Sequence, residues 1–514
     1  MLDDELLRRR FVLPVRRKGC GQRSRLQLAD AAFTATLVRA ATSFLGEGVG
    51  FFPALSHVFG EGAFEDGGHR FERFLAAGGA LAEAFGAAWQ RMRDEVADSA
   101  STGPLDALAA QAGVGCGEQL QRQITAQREE VAAEVLAADM RALELRDERR
   151  VAFFAPDRFT NFLTTWTRPE WALAPGHFED RLAVYMGWAS PKTLEAAGTL
   201  FRSGSHVQPL HAHGWNLECA KMPGQGWRVQ HDAIESAVFN DTRAAGIEGS
   251  RCPRQLFAGA IPAAQLDADL VIDEATGRPR RSQPLAIIPD ADYIRPDGRA
   301  GRGNGGERAG ALRRVLVDHK TLHYSASTYS DGQLAAVSSA QGDRRRRGHS
   351  AVEARAAQVD NEYRRHAQAL DRTISGLTAE EQRAGASGPV QNRLRTFGHV
   401  EAFVTGSFNE GSAELHTHLT IVARGMARRW RYLGARSFAE CLGTVTSFLY
   451  RKWGAAIANA NAGLRIARLS ALGARGPGAR AYGVAGDDGV GMGGVVALDD
   501  LRADVGGGHG PGFL

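Results

Sequence analysis

Lysine is almost missing from this chain: of its 62 basic residues only Lys18, Lys192, Lys221, Lys320 and Lys452 are lysine, and the rest are arginine. Cysteine is scarce too. Cys20, Cys116, Cys219, Cys252 and Cys441 are odd in number, scattered and without a CxxC pair, which argues against a disulfide framework and for a reducing compartment. No run of about 18 apolar residues occurs, and the opening MLDDELLRRR is not followed by an apolar stretch. A membrane span and a secretory signal are therefore not expected, and the sequence predicts a soluble intracellular protein. No repeat of fixed period is visible. Net charge is only +4, so charge alone does not mark a polyanion binder. Arginine suits planar, bidentate recognition of phosphate, but an arginine and glycine excess also follows from a GC-rich coding sequence, so composition permits nucleic acid without establishing it.

What is present is enough for several domains: 514 residues with 44% hydrophobic content can bury a sizeable core. Residues 1–150 read as helical, because LQLADAAFTATLVRAATSFL and EEVAAEVLAADMRALELRDERR repeat apolar residues at three- and four-residue spacing. Residues 151–227 form a loop-rich helical linker dense in tryptophan, whose aromatics serve packing. The pattern changes at 228. HDAIESAVFNDTRAAG predicts a helix ending at Gly246, RQLFAGAI a strand, PLAIIPDADYI and RVLVDHKTLHY two strands joined across a Gly-rich turn at 297–306. AVEARAAQVDNEYRRHAQALDR then predicts a second helix and HVEAFVTGSF a last strand, so that residues 228–410 make an α/β core of order αβββαβ. Residues 411–472 return to helix, and the Gly-rich tail 473–514 has too few large apolar residues to pack and is expected to be disordered.

The chemistry concentrates in RVLVDHKTLHY. Side chains alternate along a strand, so Asp318 and Lys320 share a face with Leu316 while His319 points the other way. Burying either charge alone costs roughly several kcal/mol, so the pair is mutually neutralised, exposed at a sheet edge, or in use. Asp290 and Asp292 project from one face of the neighbouring strand. With Asp318 they gather carboxylates suited to a hard divalent cation, Mg²⁺ or Mn²⁺, and Glu235 on the first helix is a further candidate ligand. Lys320 beside them could stabilise charge developing on a phosphate under attack. Asp297 in IRPDG also follows a proline, but Pro-Asp-Gly is a turn sequence.

The order helix, three strands, helix, strand, with IIPD on one strand and DHK on the next, resembles the PD-(D/E)XK restriction-endonuclease-like fold. The resemblance implies that Asp290 and Asp318 bind metal and that Lys320 assists hydrolysis. A second resemblance is separate from it. LPVRRKGCGQRSRLQLADAAFTATLVRAA, residues 13–41, is similar to the segment after the polymerase domain of non-LTR retrotransposon reverse transcriptases, and HAHGWNLECAKMPGQGWRVQHDAI to the Cys/His segment that leads into their restriction-like endonuclease. No polymerase region precedes residue 13 and no YxDD aspartate pair is present, so the resemblance implies the carboxy-terminal part of a retroelement protein. It further implies DNA as partner, RNA of the parent element as another, no membrane, and a nuclear location.

His211, His213, Cys219 and His231 lie within 21 residues, and of these His213, Cys219 and His231 form a candidate zinc set. Against it, Cys219 stands alone where the family segment is richer in cysteine, and His231 with Asp232 could instead cap the first core helix. Arg344, Arg345, Arg346 and Arg347, in the loop after the proposed active strand, are candidate phosphate contacts, a localisation patch or a solvated loop. Arg428 and Arg429, near Trp430, are candidates on a helix that also reads as amphipathic with a solvated basic face. Two functional readings follow: a metal-dependent DNA endonuclease, or a nucleic-acid-binding or interaction protein that keeps the nuclease-like fold without catalysis.

Overall fold

The computed structural model describes residues 4–14, 17–20, 28–36, 84, 87–92, 94, 117–164, 172–222, 226–263, 271–272, 279–280, 289–296, 312–325, 328–338, 350–430 and 435–473. Arg344 to Arg347, the Gly-rich turn at 297–306, the tail from 474 onward and most of the helix expected at 26–45 lie outside these residues. The chain is a mixed α/β protein. Its amino-terminal part holds α1 (Glu5–Val12), α2 (Gly117–Ala142), α3 (Glu148–Phe154) and α4 (Pro175–Met186). Arg10 of α1 is fully buried, donating to Ala152 O at 3.0 Å and Lys18 O at 2.9 Å and lying over the rings of Phe153 and Tyr185. The stretch expected to be a helical linker also contains a hairpin, β1 (Leu200–Ser203) with β2 (His206–Pro209).

The central sheet follows. It is preceded by α5 (Gly226–Ala244) and built from β3 (Glu248–Arg251), β4 (Ala291–Pro296) and β5 (Leu312–Leu322). The chain continues through α6 (Ala351–Ser375), α7 (Pro389–Thr396), β6 (Glu401–Gly406), α8 (Ala413–Trp430) and α9 (Phe438–Gly473). The strand order is the chain order, β3-β4-β5-β6; the first two pairings are antiparallel and β6 runs parallel to β5. Leu316, Ala402 and Val404 pack on Val352, Val359, Ala367 and Leu370 of α6. Ala291, Tyr293, Val315, Val317 and Phe403 pack on Ile234 and Val238 of α5 and on α8 and α9. Burial on both faces explains why β5 carries a continuous apolar run at Val315–Val317.

Two expectations are corrected. RQLFAGAI is not a strand: Arg254–Phe257 is a 3-10 turn, and the strand lies earlier at Glu248–Arg251. Cys252 at φ 45° turns the chain out of the extended region and Pro253 has no amide to donate, so the ladder stops there while Phe257 and Ile261 are still buried. Nor do His231 and Asp232 cap a helix, since α5 begins at Gly226 and holds both in its interior. Its expected stop holds. Gly246 sits at φ 79°, and a Cβ there would run into the Arg429 guanidinium.

The unpaired edge of β6 is closed by the turn that follows it. Ser412 donates to Ala402 O at 2.7 Å and accepts from Val404 N at 3.1 Å, while Gly406 N donates to Glu410 O at 2.9 Å. Burial pushes the Glu410 carboxyl up to about 7, against the pull of the Tyr329 hydroxyl and the Phe408 amide, which both donate to it. The folded chain therefore holds a proton that an unfolded chain, with an ordinary glutamate, releases at lower pH. Stability should fall as pH rises from about 4.3 to about 7, by roughly 3.7 kcal/mol in total. Glu410→Gln should remove this slope and raise the urea midpoint at pH 8. Equal slopes in the two proteins would show that Glu410 is already ionised.

Candidate active site

The functional candidates meet at the end of the β4/β5 ladder. Its last paired residues are Ala291 and Val317, so one step further Asp290 falls opposite Asp318. By strand alternation both positions belong to the α6 side of the sheet, as does Lys320. Lys320 Nζ lies 2.6 Å from Asp318 Oδ2, and the Tyr363 hydroxyl of α6 donates to Asp318 Oδ1 at 3.0 Å. Asp318 is buried, whereas about a third of the Lys320 side chain is open to solvent (34%). Burial pushes the Asp318 carboxyl up to about 6, against the downward pull of Lys320, and the charge on Asp290 raises it further.

Asp290 is held differently. Its Oδ2 accepts the His319 amide at 2.6 Å and faces His231 Nε2 at 3.1 Å, and that nitrogen also lies 3.1 Å from His319 O. The carboxylate thus caps the ladder and turns toward α5. Burial opposes the charged form, yet the His231 contact dominates and holds Asp290 at about 2. For His231, burial is outweighed by Asp290, which holds the imidazole up at about 9. A charged pair across the ladder end is the consequence. His319 itself is fully buried and its ring is driven down to about 3, so it stays neutral beside Phe403. Its contribution is backbone.

The other predicted ligands are engaged elsewhere. Asp292 is buried with its Oδ1 accepting from Ser250 N at 3.0 Å and its Oδ2 3.1 Å from Arg314. Glu235 receives Arg251 through two bonds of 2.7 and 2.9 Å. Both are thus paired with other side chains and not with Asp318, and Glu235 lies instead in a group with His231 and Asp232, one donor atom of each within 4.8 Å of the others. The zinc set is not brought together either: Cys219 Sγ contacts Tyr324 O at 3.4 Å, His213 stands by Glu148, and His231 is on Asp290. Arg429 donates to Ala244 O at 3.0 Å, the carbonyl end of α5, where a cation opposes the helix dipole, while Arg428 is exposed.

Two residues of the site escape a reading by pattern. Tyr363 occupies an apolar position of α6 and so reads as core, though a hydroxyl at a half-buried position needs a partner and is a signal in itself. His231 reads as part of a Cys/His segment, and only the fold brings it to Asp290 across 59 positions of sequence. Among the described residues no helix is long and apolar enough to cross a membrane. No family model, curated protein or solved structure matches the chain.

Proposed function

We propose that the chain is a metal-dependent DNA endonuclease with a PD-(D/E)XK, restriction-like core and a retroelement origin. The observation that carries this reading is Asp318 and Lys320 two residues apart on one face of β5, with Asp290 opposite Asp318, in an αβββαβ sheet whose last strand runs parallel to β5. The donor set fits a hard divalent cation, Mg²⁺ or Mn²⁺. Asp290 and Asp318 would hold it, both as carboxylates, and the buried Asp318 Oδ2 has Lys320 as charge partner but no directed hydrogen bond. When bound, such a cation supplies Lewis-acid polarisation of the scissile phosphate and a water of lowered pKa.

The chain's own residues have separable tasks. Tyr363 fixes the rotamer of Asp318, and His231 with the His319 amide keeps Asp290 ionised. Lys320, partly open to solvent, presents an ammonium where negative charge builds on phosphate. The test is conversion of supercoiled plasmid to open circle. Nicking is expected with Mg²⁺ or Mn²⁺ and none with a chelator. One observation favours the second reading, a nucleic-acid-binding protein without catalysis: the Asp290 carboxylate is already closed on His231 and an amide. Retained DNA binding with no nicking under any divalent metal would select it.

A further inference from the structure

A second group of donors lies away from the β4/β5 ladder end, where the hairpin β1–β2 leads into the turn His211-Ala212-His213-Gly214. The turn is closed by Gly214 N donating to His211 O at 2.8 Å, and Asn216 braces it, its Oδ1 accepting His211 N at 3.0 Å and its Nδ2 donating to Pro209 O at 2.7 Å. Gly214 takes φ 71°, a left-handed conformation open to glycine, and the His211 and His213 rings stack at 5.5 Å. Glu148, the first residue of α3, faces both. Its Oε1 is 3.4 Å from His213 Nδ1 and 3.8 Å from His211 Nε2, and one donor atom from each residue lies within 4.8 Å of the others.

We infer that Glu148, His211 and His213 form a binding site for a divalent transition-metal ion of the Zn²⁺ class. Two imidazoles and a carboxylate are the ligands such borderline ions prefer, whereas Mg²⁺ takes oxygen alone. The spacing is metrical as well as chemical. Ligand bonds of 2.0–2.2 Å around a tetrahedral ion put neighbouring donors about 3.3–3.6 Å apart, which the 3.4 Å contact already meets and the 3.8 Å contact approaches to within a few tenths. His213 Nδ1 is enclosed and makes no hydrogen bond, so a donor is held ready at that point. Trp215 also stacks on the His213 ring, at 5.8 Å, and helps to hold its orientation. Arg465, which donates to His213 O, does not leave an uncompensated positive charge there, because Glu218 neutralises it. Coordination through His211 Nε2 places the imidazole proton on Nδ1, so the long 3.3 Å bond from the His213 amide gives way to the stronger metal bond. The fourth position opens to solvent on the exposed His211 side. Bound metal would tie the turn to α3, across more than 60 residues of sequence.

The test is titration of the full chain carrying Asp318→Ala, which silences the acid pair, with Co²⁺ followed by visible absorption. One equivalent should bind with ligand-field bands of a four- or five-coordinate site, and Zn²⁺ should displace it. His211→Ala alters an exposed side chain and should weaken Co²⁺ binding by at least about tenfold, with Glu148→Gln acting in the same direction. The thermal midpoint should rise with Zn²⁺ in the parent and not in His211→Ala. Unchanged Co²⁺ binding in His211→Ala would overturn the assignment. So would loss of binding in His231→Ala alone, which would place the ion on α5, or a natively folded parent that binds neither ion, leaving a His–Glu contact only.

Discussion

Asp318→Ala is expected to abolish metal-dependent nicking and Lys320→Ala to slow it by about 10²–10³-fold, each leaving most DNA binding intact. Non-specific DNA affinity generally comes from cationic contacts to phosphate, and the proposed arginine contacts are not part of the acid pair. The two losses differ in kind. On the proposed function Asp318→Ala removes a cation ligand, so affinity for Mg²⁺ should fall with activity. Lys320→Ala removes charge stabilisation, an effect of roughly 2.7–4 kcal/mol if it resembles loss of an oxyanion donor. It also removes the cation that draws the Asp318 carboxyl down, so Asp318 should take up its proton more readily and the residual activity should shift to higher pH. Rate against pH at saturating Mn²⁺ separates the two mutants. Full nicking by Asp318→Ala would show that other residues do the cutting.

Glu218→Ala is expected to lower folding stability by about 3–5 kcal/mol. Glu218 is buried, with Arg465 Nε at 2.9 Å on Oε1 and the Ser407 hydroxyl donating at 2.8 Å to Oε2. Arg181 of α4 approaches Oε1 at 3.5 Å. Arg465 and His323 hold the carboxyl well below its usual range despite complete burial. Removing it strands two buried guanidiniums with only Asp180, 2.7 Å from Arg181 and 3.5 Å from Arg465, to answer them. Because the network joins α4, the turn after Gly214, the end of β6 and α9, its loss should loosen all four together. Equilibrium urea unfolding measures this; a shift under about 1 kcal/mol would mean that water replaces the carboxylate and that the cluster is not sealed.

The elements that could be read from the chain are those whose cause is local. A helix through residues 231–246 with a stop at Gly246, the long helix of Val352, Val359 and Leu370, and the apolar strands at 314–322 and 401–406 each announce themselves by periodicity and a terminating residue. Even the face shared by Asp318 and Lys320 follows from alternation, since two residues along a strand return to the same side. The misplaced strand at 254–261 marks the limit of such reasoning. RQLFAGAI is apolar because Phe257 and Ile261 are buried, and burial does not require a ladder.

Pairing decides the rest. Strand register puts Asp290 opposite Asp318 but gives Asp292 to Ser250 and Arg314, although the two aspartates are chemically alike and two residues apart. Sequence spacing cannot distinguish them, because the difference is made by a partner strand whose amide and guanidinium arrive from elsewhere in the chain. His213, Cys219 and His231 are neighbours in sequence and go to Glu148, Tyr324 and Asp290, since one lies in a turn, one beyond it and one inside α5. A local pattern specifies an element and the face a residue occupies. Which charge meets which is set by the packing of elements tens to hundreds of residues apart, where burial makes every unpaired charge costly and so leaves few arrangements that satisfy all of them.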